Sequence, residues 1–179
     1  MIHDSDSFRT HVASTLGLGA LEFLVQTAAT LPNDLAGGRK GGFFSIYDKE
    51  TKVMVSYSLG VYPTEKMSQY LRNATEKVTR LVGNDDHRSF QSRNEQKEHW
   101  GGGIRWGKII CAFSGFPEKI DEAISLIYAI YAQKEYLSPR RFNTDVLKLK
   151  KRGYEDNEYI EMLLTPFMQF LYVKYKIEE

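Results

Sequence analysis

Five residues within one ten-residue window carry groups that hold ligands: His99, Trp100, Arg105, Trp106 and Lys108. An imidazole can bind a metal or exchange a proton near neutrality. A guanidinium and an ammonium hold an anionic group, and indoles cover a flat apolar one. The window therefore points to a small anionic or aromatic ligand. A plainer reading stands beside it. One histidine without a positioned partner also describes a surface-loop residue next to a partly buried tryptophan.

The other reactive residues read as structural. His87 follows Asp85 and Asp86, but neighbours in one turn rarely converge on an ion, and Asn84 to Asp86 suits a turn. His3 and His11 are isolated. Cys111 lies in an apolar run, where a thiol is buried and inert. Ser114 lacks the frame of a nucleophile elbow and is placed to cap the helix near Pro117. Asp121 and Glu122, adjacent on a helix, point about 100° apart. They do not make a paired acid and base, and their charge favours a helix N-terminus. No nucleophile–base pair, metal triad or cofactor fingerprint is visible, so whether the chain is an enzyme stays open.

Two glycine clusters invite a phosphate-binding reading. Gly101-Gly102-Gly103 fails it: Ile109 follows Lys108 where a phosphate loop needs Ser or Thr, and a strand follows rather than a helix. Glycines before a strand instead permit tight backbone conformations or close packing. Gly37-Gly38-Arg39-Lys40-Gly41-Gly42 fails the same test. It could hold an anion through Arg39 and Lys40, against the alternative of a solvated loop.

The elements that position these groups follow from hydrophobic spacing. Ser5 to Thr30 reads as mainly helical, with Gly17 and Gly19 as candidate breaks. G-F-F-S-I-Y-D and V-M-V-S-Y-S-L-G-V read as a hairpin. Pro63-Thr64-Glu65 opens a helix to about Val82, with Met67, Tyr70, Leu71, Ala74, Val78, Leu81 and Val82 on one face. His87 to Arg93 is predicted as a short strand. A second hairpin turns at Trp106-Gly107. Pro117-Glu118 begins a helix that buries Ile120, Ala123, Ile124, Ile127, Tyr128 and Tyr131. Ser138 to Arg141 breaks the pattern. The tail becomes amphipathic from about Asp156, with Ile160, Leu163, Leu164, Phe167, Phe170, Leu171 and Tyr175 as an apolar stripe kinked at Pro166. The prediction is an α+β fold: an antiparallel β-sheet flanked by α-helices over residues 1–137, with a C-terminal helical extension over 138–179 packed on the domain or a partner subunit.

Bulk properties narrow the setting. The chain has 179 residues, enough for one domain with a core. The net charge of +1 gives no global field to recruit nucleic acid or anionic lipid. The single cysteine excludes an internal disulfide. M-I-H-D-S-D-S-F lacks the basic start and apolar run of a secretory leader, and no apolar run approaches the roughly 18 residues of a membrane span. A cytoplasmic protein is expected, with neither nucleic acid nor membrane as partner.

The segment from Gly101 to Ile124 resembles the GlcG-like, haem-degrading family. The matching residues are Gly102, Gly103, Ile104, Gly107, Ile110, Ala112, Ser114, Gly115, Asp121 and Glu122. The strand ending at Asp48, the hairpin to Gly60 and the helix carrying Arg72-Asn73-Ala74-Thr75 fall in the family's order. The resemblance covers roughly residues 8–133, and its specific part is confined to 102–122. Arg105 stands where the family has proline, Arg72-Asn73 where it has a lysine–alanine pair, and Ala112-Phe113-Ser114-Gly115 for its G-V-S-G step. The resemblance implies a profilin-like sandwich, a homo-oligomer, and haem or another small ligand. His99 would then be the axial ligand, with Arg105 and Lys108 on the anionic groups. The alternative is an oligomerisation or protein-interaction module without chemistry, built on the terminal helix.

Overall fold

The computed structural model describes residues 17–133 and 139–175. Phe8, Val12, Leu16, His3 and His11, and the boundary drawn at 137/138, lie outside the described residues. Helix α1 (Leu18–Ala29) starts just after Gly17, which takes a left-handed backbone (φ 69°). A short turn of helix, α2 (Asn33–Ala36), leads to strands β1 (Lys40–Asp48) and β2 (Val53–Val61). A 3-10 turn (Thr64–Lys66) opens α3 (Met67–Gly83). Strands β3 (Gly103–Trp106) and β4 (Ile109–Ser114) then pair, and α4 (Glu118–Gln133) follows. The extension is two helices, α5 (Pro139–Lys150) and α6 (Tyr159–Tyr175). Pro139, read as a break, is the first residue of α5, where its missing N–H costs nothing. No helix among the described residues is long and apolar enough to cross a membrane.

All four strands are antiparallel in the order β2-β1-β4-β3. Side chains alternate between the faces. Phe44, Ile46, Ile104, Cys111 and Phe113 join the main core, which also holds residues of α1 and α4. On the opposite face Ile110 and Ala112 meet Val78 and Leu81 of α3. The fold is therefore α+β, with α3 on one side of the sheet and α1 and α4 on the other.

Ile160, Leu163, Leu164, Phe167 and Leu171 of the tail's apolar stripe are buried within the chain. Leu163 and Phe167 of α6 are fully buried. The Phe167 ring lies 5.6 Å from Tyr131 of α4, 5.6 Å from Phe142 of α5 and 6.2 Å from Phe23 of α1. Arg88 fastens the loop before α6: it forks onto buried Glu122 at 2.7 and 2.8 Å, donates to Gly153 O and stacks on Tyr154. Asn157 closes the same cluster on Glu122 at 2.8 Å.

The predicted strand at His87 to Arg93 is instead a 3-10 turn (Ser89–Ser92), with one isolated bridge from Arg88 to Ile104. Side chains take the backbone bonds a ladder would need. Gln91 Oε1 accepts from the N–H groups of His87 and Arg88, and Ser89 Oγ accepts from Gly103 N.

Candidate ligand cleft

The five-residue window is divided by the strand it sits on. Arg105 and Trp106 are successive residues of β3 and so face opposite sides of the sheet. Arg105 turns to α3, where its guanidinium donates to the carbonyls of Leu81 and Asn84 at the end of that helix. Those carbonyls have no partner within the helix, so the arginine acts as a C-terminal cap. Trp106 packs half-buried against the main core. Lys108, in the hairpin turn, pairs with Glu50 at 2.7 Å, and that carboxylate raises the ammonium above its ordinary range. His99 is anchored by paired backbone bonds with Asn94, and its Nε2 lies 3.7 Å from Glu76 Oε1. Of the five, Trp100 alone lines the main cleft.

The fit of haem follows from these surroundings. His99 borders an open hollow with Arg72, Thr75, Glu76, Thr79 and Arg80. No apolar side chain lines it to cover a macrocycle, and the imidazole faces a carboxylate. The main cleft is lined by no histidine, methionine or cysteine. The residues around His99 do not fit haem.

The main cleft, about 520 Å³, opens at the end of the sheet where β4 passes into α4. The β4–α4 turn (Ser114 to Pro117), the exposed side of α3, Trp100 and Arg39 of the glycine loop form its walls. Close backbone crossing shapes this end. A Cβ at Gly42 would collide with the Ser114 backbone. Gly102 adopts φ 101°, and a Cβ there would sit 2.6 Å from Asp121 Cβ. The glycine triplet thus serves packing: Gly101 lies against the Phe90 ring, and Gly102 against a buried ion pair.

That pair forms the cleft floor. Lys77 of α3 donates to Phe113 O at 2.8 Å and to Asp121 Oδ2 at 3.1 Å. Both side chains are almost wholly buried, 2% and 3% exposed. Asp121 Oδ1 also accepts from Phe116 N at 2.9 Å. Burial outweighs Lys77 and the other favourable partners, and pushes the Asp121 carboxyl up to about 6. Asp121 and Glu122 do diverge, but each meets a cation from a different element, buried Lys77 and half-buried Arg88. Helix-terminal charge alone does not account for them. Lys77 was detectable: with Ala74, Val78 and Leu81 it shares the apolar face of α3, a cation in an apolar stripe. Cys111 is buried, and burial pushes its thiol up, as an inert thiol requires.

A second hollow, about 460 Å³, adjoins the first and shares Arg39, Lys66 and Tyr70 with it. Its other walls are Gly37, Gly38, Lys40, Gly41, Val61, Tyr62 and Pro63. Arg39 reaches Gly115 O at 3.5 Å and Lys66 reaches Gln69 Oε1 at 3.1 Å. Neither meets a carboxylate in an ion pair among the described residues. Glu118, on the cleft rim, is engaged by Arg93 at 3.0 Å and by Gly101 N. Arg39 and Lys66 therefore face the junction without a direct ion-pair partner among the described residues, Arg39 acting on Asp121 only at longer range, while Asp121 and Glu118 are held by Lys77 and Arg93. Arg39 and Lys40 stand out in the glycine-rich loop; Lys66 carries no motif, and in the sequence Tyr70 reads only as part of the apolar face of α3. Set beside protein-family models, curated proteins and solved structures, the chain gives no match in any of the three.

Proposed function

We propose that the chain is a small-ligand-binding protein of the GlcG-like kind that holds a small anion in the cleft between α3, the glycine loop and the β4–α4 turn. One observation carries this reading: Arg39 and Lys66 stand at the junction of two hollows with no ion-pair partner among the described residues. A concave site with two convergent cations is a place where an anion exchanges water for charge-assisted bonds. The order of helix, hairpin, helix, hairpin and helix supports the family likeness. The anion-holding role expected of Arg105 and Lys108 passes to Arg39 and Lys66, because the first two are already committed to α3 and Glu50.

The test is a titration of the full chain with acetate and with inorganic phosphate, followed by amide chemical shifts. Saturable shifts are expected at Gly37, Gly38, Gly115 and Trp100, and they should vanish in an Arg39→Met/Lys66→Met variant. Shifts that persist in that variant, or none in the parent protein, would reject the reading.

A further inference from the structure

The two hollows differ in chemistry. The first has a polar floor, the Lys77–Asp121 pair. The second is walled by Val61, Tyr62, Pro63 and Tyr70, with glycines at 37, 38 and 41 in place of side chains. From this asymmetry we infer that the ligand is an aromatic carboxylate, its ring in the second hollow and its carboxylate at Arg39 and Lys66. The inference rests on the anion-binding reading above and adds the identity of the apolar half.

The aromatic wall is built before any ligand arrives. Tyr62 packs against Phe43 with ring centres 5.5 Å apart, and its hydroxyl bonds Ser58 Oγ at 2.6 Å. Tyr70 meets Tyr62 edge to face at 5.9 Å. A ring entering here joins an existing aromatic pair with little loss of side-chain freedom. Val61 is 75% exposed although it lies on a strand and beside this hollow, so a ligand would cover apolar surface that the fold leaves wet. Tyr70 borders both hollows, so a ring and its carboxylate attached one bond away can be served by the same wall. The planar guanidinium of Arg39 matches a carboxylate fork, and the Lys66 ammonium adds a point charge.

Three probes separate the parts: 2-naphthoate, acetate and 2-naphthalenemethanol, each titrated into the full chain and read by amide shifts. Naphthoate should bind at least about tenfold more tightly than acetate, because it alone buries a ring as well as a charge. It should also bind at least about tenfold more tightly than the neutral alcohol. In a Tyr62→Ala variant, which alters the second hollow and not the first, checked for an unchanged circular dichroism spectrum and melting point, naphthoate should fall to the level of acetate while acetate is unaffected. If naphthoate and acetate bind alike, the aromatic inference falls and the anion site stands. If the alcohol binds as well as naphthoate, the carboxylate assignment falls. If none of the three saturates, both readings fall together.

Discussion

Replacing Lys77 with methionine isolates the energetics of the cleft floor. The change keeps an unbranched apolar stem on the face of α3 and removes the ammonium. Two groups lose their partner: Phe113 O, at 2.8 Å, and Asp121 Oδ2, at 3.1 Å. Breaking a buried ion pair from one side costs about 3–5 kcal/mol, because the remaining charge stays desolvated. For a chain of this size that lowers the melting point by about 10 °C. The cost depends on pH in a definite direction. In the folded protein the Asp121 carboxyl sits at about 6, above its ordinary 3.8. A raised carboxyl pKa means the folded state holds the proton more tightly. The group's penalty is relieved as pH falls through about 6 toward 4, and is full above that window. Without Lys77 the carboxyl rises further, so the penalty of Lys77→Met should be largest at pH 8. At pH 5 it should shrink toward the roughly 1–3 kcal/mol of an orphaned carbonyl. Asp121→Asn keeps the acceptor for Phe116 N and removes the charge. Urea unfolding of both single variants and the double variant at pH 8 should give a coupling of at least about 2 kcal/mol. Additive losses, or an equal Lys77→Met penalty at pH 8 and pH 5, would refute the assignment of a charged pair.

Four further outcomes are expected. Phe167→Ala should cost about 3–5 kcal/mol, since the ring is fully buried among Phe23, Tyr131 and Phe142. A variant of unchanged stability but lower mass by light scattering would instead put the stripe in an interface between subunits. Gly102→Ala should cost at least about 2 kcal/mol, from the positive φ and the approach to Asp121. Gly19→Ala, which meets nothing within 4 Å on α1, should be neutral or stabilising by up to about 1 kcal/mol in the same urea series. Haem titration should give no Soret shift that depends on His99, and a stoichiometric shift lost in His99→Ala would restore the axial-ligand role.

Much of the frame was legible because it rests on periodicities that neighbours in sequence carry by themselves. The α3 stripe of Ala74, Val78 and Leu81 and the second hairpin each announce a local element, although the turn falls at Gly107-Lys108, one residue beyond the expected Trp106-Gly107, because Trp106 still pairs with Ile109. Hydrophobic pattern misleads where side chains compete with the backbone, as at Ser89 and Gln91, where a 3-10 turn replaces the expected strand. Adjacency in sequence is not convergence in space: Arg105 and Trp106 are neighbours in the chain and lie on opposite faces of β3. The cleft is the reverse case. Arg39, Lys66, Lys77 and Asp121 lie apart in sequence, on the glycine loop, on the continuous segment from Thr64 through α3, and on α4, and the close crossing of β1 over the β4–α4 turn, permitted by Gly42 and Gly115, sets the glycine loop beside the others. Arg39 shows in the glycine-rich loop and Lys77 as a charge in an apolar stripe, whereas Lys66 leaves no trace.

The cleft's role is tested most directly by soaking crystals of the full chain in 4-bromobenzoate and locating the bromine by its anomalous scattering. The account places the bromine in the hollow of Val61, Tyr62 and Pro63, and the carboxylate against Arg39 and Lys66. Bromine in the hollow beside His99, or no ordered bromine at concentrations that saturate the shifts in solution, would contradict it.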